Sequence, residues 1–211
     1  LRVEVYRDGN VYHQEFSEGE RTSELIKKPQ DDGDNVRTGT LVSFTPDQQI
    51  FQAIEYDFNM LSQRFKEMAY LNKGMQIDLR SDWHTDLFPP NNQVTYHFEG
   101  GIASYVQDLN QDRAVLHKDP IYIEQQVNGT LVEAAMQYSD SFNESVYSFA
   151  NCINTEDGGS HLTGFRSALT RIINDYGRKQ KLIKDGIANL SGEDTRDGLT
   201  ALISVKVTDP Q

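Results

Sequence analysis

The hydrophobic period of this chain switches repeatedly between two and roughly 3.6, which limits it to a fold in which helices pack on sheets. Leu1, Val3 and Val5 alternate with Arg2, Glu4 and Tyr6, and Val132, Ala134, Met136 and Tyr138 mark a second alternating run. Phe58, Leu61, Phe65, Met68 and Ala69 recur instead at helical spacing. So do Leu162, Phe165, Leu169, Ile172, Ile173 and Tyr176, on a longer helix from about Ser160 to Arg178 that Ser160 is placed to cap. Asp8-Gly9 and Asn128-Gly129 stand between strand-like runs and predict tight hairpin turns. The expected class is α/β or α+β, with helices packed on a sheet.

Further strands are expected at Thr40–Phe44, Met75–Leu79, Val94–Phe98, Ile121–Glu124, Ser145–Ala150 and Ala201–Val207, with a short amphipathic helix at Ile102–Asn110. Residues 17–39 are rich in turn formers and read as one long loop, as does Ser81–Asn92 with Pro89-Pro90. Ser191-Gly192-Glu193-Asp194 is expected to open a brief helix, and Asp209-Pro210 to end the last strand. Thr45-Pro46-Asp47 is the expected boundary between two domains, 1–46 and 47–211.

Composition removes several classes of function. The 211 residues carry a net charge of −12, which argues against a protein that coats nucleic acid over its whole surface; any DNA contact has to be local. Cys152 is the single cysteine and no Cys/His pair has zinc spacing, so no internal disulfide and no metal site are expected, and a reducing, cytoplasmic setting fits. No apolar run approaches the roughly 20 residues that cross a bilayer, so no membrane partner is expected.

Local clusters remain to be weighed. Arg166, Arg171, Arg178, Lys179, Lys181 and Lys184 face only Asp175 over that stretch, which suits either a DNA backbone or a solvated helix whose C-terminal end attracts cations. Asp157-Gly158-Gly159-Ser160 joins a turn to a helix N-terminus; it suits an anion, or simply the turn. Glu193, Asp194 and Asp197 suggest acid–base work, although acidic residues in a first helical turn complement the helix dipole without it. His84, His97, His117 and His161 are scattered and read as structural or exposed.

Several stretches, taken together and in order, resemble the B subunits of bacterial type IIA DNA topoisomerases, the DNA gyrase B and topoisomerase IV B family. They are Thr38-Gly39-Thr40-Leu41-Val42-Ser43-Phe44-Thr45-Pro46-Asp47, Tyr96-His97-Phe98-Glu99-Gly100-Gly101-Ile102, Ala135-Met136-Gln137-Tyr138, the run from Ile153 to Arg171 around Asp157-Gly158-Gly159-Ser160-His161, the run from Leu190 to Ala201, and Ser204–Pro210. The resemblance implies a GHKL-type ATPase domain whose last strands are residues 1–46, followed over 47–211 by a transducer domain resembling the ribosomal protein S5 domain 2-like fold, a mixed sheet backed by helices. It also implies that the family's other nucleotide motifs precede Leu1, and that a Gln-Thr-Lys loop and an acidic magnesium cluster follow Gln211.

The resemblance assigns three residues. Thr40 matches the threonine that meets adenine, although a threonine also simply suits a strand. Arg166 matches the arginine facing the central cavity of the dimer clamp through which captured duplex passes, and Arg171 accompanies it. No catalytic residue and no metal ligand is expected in the chain itself. By the same resemblance the full-length subunit uses ATP with magnesium, pairs with a second B subunit and with the gyrase A (or topoisomerase IV A) subunit in an A2B2 heterotetramer, and acts on double-stranded DNA. The chain by itself is expected to be monomeric and inactive, with rigid rotation about Thr45–Asp47 coupling ATP to clamp closure. Two other classes stay open on the sequence: a non-enzymatic protein or RNA interaction module of the same fold, and a carboxylate hydrolase built on Glu193 and Asp194.

Overall fold

A computed structural model describes residues 1–31, 36–84 and 92–208. Asp32-Gly33-Asp34, Pro89-Pro90 and Asp209-Pro210, for which the sequence carries expectations, lie outside them. The chain divides into two compact units, Leu1–Tyr56 and Asp57–Gln211.

The first unit is a sheet. Strands β1 (Arg2–Arg7) and β2 (Asn10–Ser17) form the hairpin that Asp8-Gly9 predicts. Both turn residues have positive φ, 50° and 69°, the conformation whose twist matches a two-residue hairpin. The loop expected over 17–39 is not structureless: β3 (Glu20–Arg21) and β4 (Ile26–Pro29) both pair with β2. Every residue of these two short strands is exposed, so they carry no buried face and hence no alternation to read. Strand β5 (Gly39–Ser43) pairs antiparallel with β1, setting Thr40 opposite Val5.

The second unit opens with α1 (Phe58–Leu71), started by the Asp57 side chain, which accepts from the Met60 amide at 2.9 Å. Its C-terminal end buries Ala69, Tyr70 and Leu71. Strands β6 (Gln76–Arg80) and β7 (Gln93–His97) form a two-stranded sheet. Tyr70 stacks between Phe98, which follows β7, and Tyr105 on α2 (Ile102–Leu109), with ring centroids 3.6 and 4.7 Å away.

The main sheet follows. Strands β8 (Ile121–Val127) and β9 (Thr130–Tyr138) form the second predicted hairpin, closed by Asn128-Gly129 with φ of 50° and 83°. After β10 (Ser145–Ala150) and the two-residue β11 (Ile153–Asn154) comes α3 (Ser160–Lys179), then β12 (Leu199–Lys206). The order is β11-β10-β12-β9-β8; β12 runs parallel to β10 and antiparallel to β9. The sheet is mixed, as the family resemblance implies, and backed by helices, as the sequence pattern predicts.

Both faces of the sheet are covered, which explains why β12 buries seven of its eight residues instead of alternating. On one face Ala135, Phe149 and Leu202 pack with Leu71, Ile102 and Val106 of α1 and α2. On the other, Met136, Leu199, Ala201 and Ile203 pack against Leu162, Phe165 and Leu169 of α3.

Three local predictions are corrected. The N-cap of α3 is Gly159 rather than Ser160, and no side chain caps it; a Cβ on Gly159 would lie 2.7 Å from the His161 ring, where a capping side chain would have to pass. No helix forms at Ser191–Asp194. Ser191 and Asp194 exchange hydrogen bonds in a turn, and Gly198, at φ +73°, leads into β12 within a few residues. Finally, Ile172 and Tyr176 are not buried: they are 60% and 59% exposed, lining with Leu169 and Ile173 an open apolar groove beside Ile121 and Ile123. At this end of α3 the buried residues are Asn174 and Gly177, because residues 182–190 fold back against them.

Candidate functional site

The α3 helix is braced by its own polar side chains. Ser167 donates to the Thr163 carbonyl, Thr170 to that of Arg166 and Asn174 to that of Thr170, at 2.9–3.0 Å. The buried Asn174 also holds the returning chain, donating to the Leu190 carbonyl at 3.0 Å and accepting its amide at 2.8 Å. Thr170 meets Thr195 at 3.0 Å. These contacts fix the segment 190–196 alongside the middle of α3.

The result is a cavity of about 540 Å³ whose cationic lining comes from Arg166 and Arg171 on α3 and Arg196 from the returning chain. Arg166 and Arg171, separate in sequence by more than one helical turn, are thus brought together with a third guanidinium. Asp175 is the carboxylate that lines the same cavity. A guanidinium holds its charge at any physiological pH and presents a planar fork of donors, the geometry that suits carboxylate and phosphate oxygens.

Two of the three arginines share one carboxylate. Glu144 Oε1 accepts from Arg166 Nε at 3.0 Å and Nη2 at 2.7 Å, while its Oε2 accepts from Arg196 Nε at 3.0 Å. Partial burial works against the Glu144 charge, but the hydrogen bonds from Arg196 and Arg166 outweigh it and hold the carboxyl below its ordinary value. The Arg166, Glu144 and Arg196 side chains are 40%, 29% and 17% exposed. A pair this accessible stabilises a fold by about 0–1 kcal/mol, so what it fixes is chiefly geometry. Neither Glu144 nor Arg196 stands out in the sequence. Glu144 lies between two strands, without a period, and Arg196 sits among the acidic residues Glu193, Asp194 and Asp197.

The remaining basic residues of α3 divide. Arg178 is structural: its guanidinium donates to the carbonyls of Lys184, at 2.9 Å, and Ile187, and to Asn189 Oδ1 at 2.9 and 3.1 Å. Arg171 has no ion-pair partner among the described residues. The acidic turn does not gather catalytic groups either; Asp194 accepts from the Ser191 amide at 2.7 Å, and the hydrogen bonds from Ser191 lower its pKa. Among the described residues no three His, Cys, Asp or Glu side chains converge as metal ligands would. His117 is held between Asp119 O at 2.9 Å and the Tyr138 amide at 3.0 Å. Burial lowers the pKa of His161, which meets Thr155 Oγ1 at 3.2 Å. Thr40 lies exposed on β5, in the other unit.

The sequence model of the DNA gyrase B family matches residues 101–211, which include α3 and the whole arginine-lined cavity. The chain belongs to the DNA gyrase B family. It is 46% identical over 212 aligned residues to the DNA gyrase B protein of Halalkalibacterium halodurans, covering all of this chain and 32% of that protein. The gyrase B-family chain therefore spans about a third of the length of this curated relative. Among solved structures, the 43K ATPase domain of Thermus thermophilus gyrase B, in complex with an aminocoumarin, superimposes with a TM-score of 0.85 at 32% identity, over all of this chain and 55% of that one. The topoisomerase IV ATP-binding domain of Francisella tularensis, in complex with a small-molecule inhibitor, gives 0.77 at 27% identity, over all of this chain and 54% of that one. No helix among the described residues is long and apolar enough to cross a membrane.

Proposed function

We propose that this chain is the coupling segment of an ATP-dependent type II DNA topoisomerase B subunit, and that the cavity beside α3 meets the backbone of the duplex being passed. The observation that carries this reading is the convergence of Arg166, Arg171 and Arg196 on one cavity, in a gyrase B-family chain whose net charge is −12. A local cationic site on an acidic protein suits sequence-independent passage, which calls for phosphate contacts and no base reading.

In this reading residues 1–46 are the last strands of the ATPase domain and 47–211 the transducer, which relays ATP binding and hydrolysis to closure of a clamp formed by two B subunits. ATP with magnesium is the nucleotide of the full-length subunit, with Thr40 on β5 offering its hydroxyl to the adenine edge. The gyrase A or topoisomerase IV A subunit is the partner that completes the heterotetramer, in the cytoplasm. Arg166 and Arg171 are the DNA-contacting residues.

Titrating duplex DNA onto the chain at several salt concentrations tests the central claim. Each phosphate contact contributes about 0.9 to the slope of log affinity against log salt, so the double variant Arg166→Ala/Arg171→Ala should flatten that slope by roughly 1–2 and weaken binding at low salt. Unchanged affinity and slope in the double variant would remove this site from the DNA path.

A further inference from the structure

The hydrogen-bond geometry around Glu144 carries an inference that rests on the DNA-contact reading of Arg166 and deepens it. One oxygen of Glu144 takes the Nε and Nη2 donors along one edge of the Arg166 guanidinium, and the other takes Nε of Arg196. Arg196 is the least exposed of the three side chains, with 17% of its side-chain surface accessible. The carboxylate is therefore anchored from the protein side, and Arg166 is held by an anchored group. The Nη1 end of Arg166 takes no partner among the described residues, while Arg166 lines the cavity.

We propose that Glu144 is a positioning residue: anchored by Arg196, it fixes the inner edge of Arg166 so that the outer edge stands ready for a phosphate oxygen of duplex DNA. Two effects of this carboxylate oppose each other. Its negative charge sits beside the arginine and repels an incoming phosphate, so on charge alone removing it strengthens DNA binding. Its hydrogen bonds, however, immobilise a long side chain that would otherwise lose rotamer freedom on contact, and a planar fork held in place loses less on binding. Water screens the repulsion at this partly exposed site but does not restore the lost order, so the positioning effect prevails.

This gives the experiment an outcome opposite in sign to simple electrostatics. Duplex affinity is measured for the unaltered chain, Glu144→Ala, Arg166→Ala and the double variant, with thermal unfolding confirming that each is folded. Glu144→Ala should weaken binding about three- to tenfold although it makes the protein less negative, and should have no further effect once Arg166 is alanine. Glu144→Asp, which keeps the charge on a shorter arm, should recover part of the loss. Binding that strengthens or stays unchanged in Glu144→Ala, or that falls equally with and without Arg166, overturns the positioning role while leaving Arg166 as a DNA contact. Normal binding by Arg166→Ala would instead overturn the underlying reading of the cavity.

Discussion

Asn110, at the end of α2, donates through Nδ2 to Gln137 Oε1 of β9 at 2.9 Å, and both side chains are buried. Its Oδ1 accepts from Thr200 Oγ1 of β12 at 2.7 Å. Arg113 Nη1 reaches the same Thr200 oxygen at 3.0 Å, and Gln137 Nε2 donates onward to the carbonyls of His117 and Lys118. A single amide thus ties the helix end to two neighbouring strands of the main sheet. Asn110→Ala would strand polar groups of Gln137 and Thr200 in the interior, so it should cost roughly 2–4 kcal/mol, read as a lowered midpoint in urea with an unchanged slope. A loss below about 1 kcal/mol would mean that water replaces the missing amide.

Two glycines should respond to alanine in opposite directions. Gly198 has φ +73°, and a Cβ there would lie 2.4 Å from the Ser139 carbonyl oxygen and 2.7 Å from that of Ser141. Backbone oxygens cannot retreat as a side-chain tip can, so Gly198→Ala should destabilise by more than the roughly 1–3 kcal/mol of backbone strain alone. Gly164 lies within α3 with open space, nothing within 4 Å, where an alanine methyl would stand, so Gly164→Ala should stabilise by about 0.5–1 kcal/mol through helix propensity. Thermal unfolding of the two variants checks both signs.

Stability should fall in two steps as pH drops. Burial lowers the His161 pKa from its ordinary 6.5, so below that pH the unfolded chain binds more protons than the folded one. The His161 contribution is therefore present above about 6.5 and lost as pH falls through the folded value. Glu144 acts further down: despite its partial burial, Arg196 and Arg166 hold its carboxyl below the ordinary 4.5, so its contribution is lost as pH falls through that lowered value. Unfolding free energy measured from pH 8 to 3 should show the upper step disappear in His161→Gln and the lower one shrink in Glu144→Gln, where the lowered Asp194 carboxyl still contributes. Persistence of the upper step in His161→Gln would assign it to another group.

Arg178 should behave as a clamp. Its guanidinium binds the backbone of Lys184 and Ile187 and the side chain of Asn189, and so ties the returning chain to the end of α3. Arg178→Ala should raise amide exchange across residues 184–190 and cost about 1–3 kcal/mol, because carbonyls satisfied by a charged donor lose it. Arg178→Lys should restore little, since one ammonium cannot span the separate acceptors that the fork reaches. Exchange unchanged in the alanine variant would show that the Asn174 contacts to Leu190 hold this segment alone.

Much of the fold is legible in the sequence because hydrophobic period and turn chemistry are local. The two hairpins follow from Asp8-Gly9 and Asn128-Gly129, and α1, α2, α3 and β12 lie within a residue or two of the positions their apolar spacing indicates. Strands β3 and β4 are not legible because they have no buried face. Ile172 and Tyr176 stay exposed despite their spacing because that spacing identifies a stripe on a helix but not which part of the stripe the rest of the chain covers. Around α3 the segment 182–190 decides it, turning back to bury Asn174 and Gly177 instead.

The candidate site shows the same division more sharply. The sequence by itself determined the family, through motifs in order along nearly the whole chain, and through that resemblance it singled out Arg166 and Arg171 on one predicted helix. Only the tertiary structure brought Glu144 and Arg196 to them, across 22 residues in one case and, between the two newcomers, 52. The reason is physical. A helix writes its own geometry into its spacing, whereas a contact between a loop, a turn and a helix depends on where the sheet beneath them places each element.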